Sequence, residues 1–189
     1  MTPKDLVRAV FLDRDGVINA NVHRDGKLVA PRALSDFRIL PGVPLAIRQL
    51  KDAGFQIIVV TNQPDLRTGW ITAETLESMH RRIREEMPID GIKVCAHVDA
   101  DCCSCRKPKP GMILEAAKER GIDLSRSYLV GDRWRDTVAG QAAGCFTFLI
   151  DYGVEQEQPH HANIIVENLR AAANAILRRE REGAIGAGP

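Results

Sequence analysis

Two carboxylates stand one residue apart at the end of an apolar run, in Phe11-Leu12-Asp13-Arg14-Asp15-Gly16. On an extended chain residues i and i+2 point to the same side, so Asp13 and Asp15 converge where the run ends. Clustered carboxylates there suit a hard cation such as Mg²⁺ and, across it, an anionic ligand. A plain turn closed by Gly16 is the competing reading of so short a pattern. A second run ends in Thr61-Asn62-Gln63, offering a hydroxyl and backbone N–H groups of the kind a phosphate requires. Arg106-Lys107-Pro108-Lys109-Pro110 sets cations in a rigid turn, and Gly131-Asp132-Arg133-Trp134-Arg135-Asp136 adds two acids after a third run. Cys95-Ala96-His97 and Cys103-Ser104-Cys105 form two chelating pairs. Three thiolates and one imidazole complete a tetrahedral Zn²⁺ sphere, so the ion would be structural rather than catalytic. Cys102 stands next to Cys103, and the C-x-C spacing favours Cys103. Cys145, in an apolar run, reads as a small core residue.

Short strands must present these groups. Val7–Leu12, Phe55–Val60, Ile92–Val94, Tyr128–Val130, Cys145–Ile150 and Asn163–Val166 are brief and mostly apolar, several of them throughout, the pattern of strands covered on both faces. Helices are predicted between and after them at Val43–Ala53, Thr72–Met87, Pro110–Arg120, Arg135–Ala143 and Leu169–Arg179, several bounded by Gly or Pro. The alternation gives an α/β fold: a Rossmann-like parallel sheet with helices on both faces. Each polar cluster then lies just beyond a strand or in the loop that follows it, at the edge where such sheets bind ligands. The stretch from Gly16 to Leu45 has little periodicity and is expected to be a functional loop or hairpin flap. No insertion is long enough for a large cap domain.

The chain has 189 residues with 26 Lys+Arg against 25 Asp+Glu, a net charge of +1 that excludes nucleic acid as a bulk electrostatic partner. With 44% apolar and 27% charged residues the composition is that of a globular protein. No run approaches a membrane span, and the opening residues lack a signal-peptide core, so a cytoplasmic protein is expected. One domain over residues 1–180 is expected, with a zinc loop at 95–105 and a flexible tail over 181–189.

Asp13-x-Asp15-Gly16, Thr61, Lys107 and Gly131-Asp132-x-x-x-Asp136 resemble, in order, the four motifs of the haloacid dehalogenase superfamily. D-R-D-G-V-I-N, L-P-G-V, T-N-Q, the C-x-H and C-x-C-R-K-P-x-P-G-M segments and V-G-D are similar to the subfamily of heptose-bisphosphate phosphatases within it. Histidinol-phosphate phosphatases are close cousins. The resemblance implies Asp13 as nucleophile, Asp15 as acid–base group, and Mg²⁺ on the Asp13 carboxylate, the Asp15 backbone carbonyl and Asp132. It implies that Thr61 and Lys107 hold phosphoryl oxygens, with Lys109 the runner-up to Lys107, and that Asp136 orients the cluster. Zn²⁺ would sit on Cys95, His97, Cys103 and Cys105, pinning the loop that presents Arg106 and Lys107. Asn21, Arg24, Asn62, Gln63, Arg106 and Arg133 are the implied substrate-binding residues, and a small phosphorylated metabolite the implied partner of a monomeric enzyme. The chain departs from the subfamily in Pro64–Trp70, where Arg67 is separated from Gly69, and in having Arg133 where Lys is frequent. Trp70 is expected to pack the following helix rather than stack on substrate. A receiver-type phosphoacceptor domain, with aspartates, Thr and Lys around Mg²⁺, is the rival of a different class.

Overall fold

The computed structural model describes residues 7–153, 159 and 161–185. Six strands, β1 (Ala9–Leu12), β4 (Gln56–Asn62), β5 (Gly91–Cys95), β6 (Tyr128–Gly131), β7 (Phe146–Ile150) and β8 (Ile164–Val166), form one sheet in the order β5-β4-β1-β6-β7-β8. Every neighbouring pair is parallel. The chain first builds outward from β1 through β4 to β5, then returns to the other side of β1 with β6. That reversal makes the carboxyl end of β1 the topological switch point, where loops on either side diverge and leave a crevice. Asp13 follows β1 directly, and its backbone N–H donates to the Val130 carbonyl at 2.9 Å.

The apolar runs alternate sides as the pleat requires. Val10, Leu12, Ile57, Val59, Val130 and Phe148 belong to one buried layer. Helices α1 (Val43–Asp52), α2 (Ala73–Glu86) and α5 (Leu169–Ile185) cover it with Ile47, Leu50, Met79, Ile83, Ala172 and Ile176. Ala9, Phe11, Ile58, Val60 and Leu129 point the other way, against Met112, Ile113 and Ala116 of α3 (Gly111–Arg120) and Ala139 of α4 (Trp134–Ala143). Cys145 is buried in this second layer, as its apolar surroundings suggest. Helix boundaries follow local chemistry. The Thr72 hydroxyl caps α2 by accepting from Thr75 N at 3.1 Å, and positively charged side chains end α3.

The long segment after Gly16 folds as a hairpin of β2 (Val22–Arg24) and β3 (Lys27–Val29). Its two-residue turn, Asp25-Gly26, has φ of 51° and 73°, the left-handed pair that matches strand twist in a tight hairpin. This flap and α1 are the only elements between β1 and β4 apart from a short 3₁₀ turn, so no cap domain interrupts the described core. Helix α5 runs past Arg179 to Ile185; residues 186–189, at the end of the expected tail, lie outside the described residues. Among the described residues no helix is long and apolar enough to cross a membrane.

Phe148 is fully buried and touches the rings of Tyr128 and Phe146, with centroids 6.1 and 5.5 Å away. Phe148→Ala should cost about 3–5 kcal/mol, read as a lower urea midpoint at unchanged m-value.

Candidate active site

Four chain segments converge at the carboxyl edge of the sheet. Asp13 and Asp15 come from the loop after β1, Asn62 and Gln63 from the end of β4, Lys107 from the loop before α3, and Asp132 and Asp136 from the β6–α4 junction. They line a cleft of about 640 Å³ together with the flap residues Asn21, His23, Lys27 and Leu28.

Lys107 is almost completely buried, and its Nζ donates to Asp13 Oδ1 at 2.7 Å, to Asp136 Oδ1 at 2.5 Å and to the Val60 carbonyl at 2.8 Å. All three ammonium donors are thus engaged. The lysine backbone is fixed as well: Asn62 accepts from Lys107 N and donates to Lys107 O, both at 3.1 Å. Asp136 uses its other oxygen to accept from Arg133 N at 3.0 Å, capping its own helix. Lys109, the alternative lysine, points elsewhere and donates to the Cys102 and Cys103 carbonyls at 3.1 and 2.7 Å.

Asp13, Asp132 and Asp136 each bring a carboxylate oxygen within 4.8 Å of the others. Desolvation, joined by the neighbouring acids and opposed by Lys107, raises Asp13 to about 7. Burial and then the charge of Asp13 likewise push Asp132 well up. Buried carboxyls that resist ionising beside one another fit a divalent cation, whose charge reverses that penalty. Gly16 makes the approach possible. It has φ of +82°, and a Cβ there would lie 2.1 Å from Asp132 Oδ2. Asn21 donates to that same oxygen at 3.1 Å.

Asp15 is held separately. Its carboxylate accepts from Arg14 Nη2 at 2.9 Å on both oxygens, from Asn19 at 2.9 Å and from Gln63 at 2.7 Å. The same Gln63 amide donates to Thr61 Oγ1 at 2.8 Å. Thr61 is fully buried and does not itself line the cleft.

Cys95, His97, Cys103 and Cys105 come together at the end of β5 and in the following loop. Five of the six separations among their sulfur and Nδ1 atoms are 3.2–3.8 Å. Those are edge lengths of a tetrahedron around an ion with Zn–S bonds near 2.3 Å. Burial, reinforced by Cys105, holds the Cys95 thiol at about 12, an environment in which a metal ion is what makes the thiolate accessible. Cys102 is exposed, and its sulfur turns toward the Asp99 carbonyl at 3.9 Å, so Cys103 takes the inward position. The Arg106 backbone donates to Cys103 Sγ at 3.4 Å, and its guanidinium pairs with Asp99 at 2.5 Å.

Of the residues singled out for substrate, Asn21, Asn62, Gln63, Arg106 and Arg133 line the cleft, whereas Arg24 does not. Arg24 instead buries its Nη1, and the cleft receives its hairpin neighbours His23 and Lys27. Arg133 donates to the Leu28 carbonyl at 3.2 Å, tying the flap to α4. Trp70 does not pack the following helix as expected. It is 64% exposed, with the Arg32 guanidinium 4.4 Å from its ring centroid, because Asp65 holds Arg32 at 2.6 Å. Arg67 faces solvent and pairs with Asp101 at 3.8 Å. Sequence reasoning missed Arg14, Asn19 and Tyr152, whose hydroxyl donates to the Gly16 carbonyl at 2.8 Å. Arg14 alone carried a signal, as the residue between two acids.

Residues 104–172 match the family described as HAD-hydrolase-like. The chain is 36% identical over 183 residues to the D-glycero-β-D-manno-heptose-1,7-bisphosphate 7-phosphatase of Rhodopseudomonas palustris, covering 88% of this chain and 94% of that protein. It is 33% identical to the enzyme of the same name from Escherichia coli, covering 93% and 96%. Among solved structures, the D,D-heptose 1,7-bisphosphate phosphatase of B. bronchiseptica, complexed with magnesium and phosphate, aligns with a TM-score of 0.79 at 31% identity, over 91% of this chain and 99% of that one. The sheet is therefore that of a HAD-like hydrolase. Within that class the chain belongs to the family of heptose-bisphosphate phosphatases.

The Asp13 carboxyl yields a pH test. A group near 7 in the fold and at its ordinary 3.8 when unfolded takes up a proton on folding between those values, so stability falls as pH rises through that window. In magnesium-free buffer the Asp13→Asn protein should gain on the wild type by on the order of a few kcal/mol between pH 4 and 7.5. Thermal melts at several pH values check this, and a constant difference would refute it.

Proposed function

We propose that this chain is a Mg²⁺-dependent phosphomonoesterase that removes the 7-phosphate from D-glycero-β-D-manno-heptose 1,7-bisphosphate. The carrying observation is the buried Lys107–Asp13 contact at 2.7 Å, at the switch point of the sheet and within a cation-walled cleft. It is supported by relatives of that name at 33–36% identity over nearly their whole length.

Asp13 is the nucleophile. One carboxylate oxygen forms a bond to phosphorus as the bond from phosphorus to the sugar oxygen breaks, giving an aspartyl-phosphate. Asp15 gives its proton to the departing sugar oxygen. It then takes a proton from the water that attacks phosphorus, which breaks the Asp13–phosphorus bond and releases inorganic phosphate. Asp13, Asp132 and the Asp15 backbone carbonyl would hold Mg²⁺, which when bound offsets the repulsion between carboxylate and phosphate. Asp136 engages both its oxygens, on Lys107 and on α4, and acts as an orienter. Lys107 serves as the fixed positive charge beside the nucleophile, and Thr61 acts through Gln63. Cys95, His97, Cys103 and Cys105 would hold Zn²⁺ and fix the loop carrying Arg106 and Lys107.

With the floor acids set apart, the walls carry Lys27, Arg32, Arg106, Arg133 and Arg135 against Asp65. That excess suits a second phosphate on the substrate and disfavours the ammonium group of histidinol phosphate. A phosphoacceptor domain would lack the second, positioned acid at Asp15.

Heptose bisphosphate should give a kcat/KM at least about tenfold above histidinol phosphate and sugar monophosphates, measured by phosphate release for both anomers. A preference for histidinol phosphate would overturn the substrate. Asp13→Asn should abolish turnover of every substrate, p-nitrophenyl phosphate included, and retained activity refutes the nucleophile. Cys105→Ser should lower the zinc content per chain and reduce activity through the loop. Full zinc loading in that variant would contradict the ligand set.

A further inference from the structure

Arg14 is the largest fully buried side chain among the described residues. It has no part in lining the cleft, yet its guanidinium makes three contacts to Asp15, at 2.9, 2.9 and 3.2 Å. Arg14 is the one charged group among the three, with Asn19 and Gln63, whose side-chain hydrogen bonds orient Asp15. What fixes Arg14 lies a further step from the chemistry. The Phe37 ring centroid is 5.9 Å from its guanidinium carbon, and His80 of α2 places Nε2 at 3.4 Å from Nη1. Arg is always protonated and can only donate, so His80 Nε2 must be the acceptor and the imidazole the neutral Nδ1–H tautomer. His80 is itself only 3% exposed, on the face of α2 that buries Leu76, Met79 and Ile83. Burial, with the Arg14 charge, lowers its pKa to about 4, in keeping with a neutral acceptor. Glu77, on the solvent side of the same helix, stands 4.0 Å from Nδ1, too far for a hydrogen bond.

We infer that His80 is a positioning residue for leaving-group protonation, acting through Arg14 on the orientation of the Asp15 carboxyl. A buried guanidinium with one unsatisfied N–H would swing or draw in water, and the bidentate hold on Asp15 would loosen with it. The nucleophile Asp13 is held by a different cation, Lys107, so the two halves of the reaction have separate supports. Loss of His80 should slow phosphoryl transfer from a substrate whose leaving group needs a proton and spare transfer from one whose leaving group does not. Hydrolysis of the aspartyl-phosphate, which also uses Asp15, is common to both. The inference rests on Asp15 being the acid–base group, and the test separates the two.

His80→Leu and His80→Gln are compared with wild type and Asp15→Asn, all zinc- and magnesium-loaded. Substrates are a sugar phosphate, whose alkoxide leaving group needs protonation, and p-nitrophenyl phosphate, whose leaving group does not. The rate compared is that of aspartyl-phosphate formation in a single turnover: His80→Leu should lower it about tenfold for the sugar phosphate and leave it within about twofold for p-nitrophenyl phosphate. Gln carries a carbonyl oxygen near the position of Nε2, and His80→Gln should recover most of the loss. Equal losses on both substrates, or a Gln variant no better than Leu, would overturn the positioning role. If Asp15→Asn shows no leaving-group dependence, the acid–base reading fails. If Asp15→Asn shows it and His80→Leu does not, only the role of His80 fails. Because His80→Leu can also disturb the core, a circular-dichroism melt accompanies it. A melt shifted equally in both variants with only Gln active supports the role, since burial alone cannot distinguish the two in activity.

Discussion

Three buried acids cannot share the end of one sheet without a positive charge among them, and the Lys107 ammonium supplies it by bonding Asp13, Asp136 and the Val60 carbonyl together. Removing that cation would leave Asp13 and Asp136 facing each other in a low-dielectric setting, where an unpaired buried charge costs several kcal/mol. The lysine ties three separate pieces of chain to one point: the loop after β1, the end of β4 and the start of α4. The carboxyl edge is accordingly a rigid platform on which a flexible substrate can be oriented.

Because so much depends on where one ammonium group sits, the chain fixes the loop that carries it from both ends. On one side the amide of Asn62 clamps the Lys107 backbone through a reciprocal pair of hydrogen bonds. On the other, Cys103 and Cys105 anchor the loop to Cys95 at the end of β5, and Lys109 bonds back to two carbonyls of the same loop. A short loop with no core of its own gains its order from such cross-links. The Cys and His cluster and the carboxylate cluster are thus two parts of one device, linked through Arg106 and Lys107.

Much of this was legible in the sequence. Strand and helix positions followed from apolar runs and their Gly and Pro boundaries, since a parallel sheet covered on both faces leaves little freedom in pattern. The acids, Lys107 and the cysteine pairs stood at strand ends in recognisable spacing. Arg24, at the end of β2, and Trp70, in the loop before α2, were misplaced because spacing along the chain does not encode where these side chains turn. A one-residue step along the flap exchanges Arg24 for His23 in the cleft, and the Asp65 pair draws Arg32 over Trp70.

Residue type and order alone determined that this chain is an α/β protein with acids, a lysine and a thiol cluster at one sheet edge. Those features are local or periodic, and local sterics and hydrophobic alternation suffice to read them. Sequence and resemblance favoured Lys107 over Lys109 and Cys103 over Cys102, and the tertiary structure turns the favoured side chain of each pair inward. It alone brought Arg14 and His80, far apart in sequence, to 3.4 Å. Contacts across the packed layers depend on how α2 settles on the sheet, and no spacing along the chain encodes that.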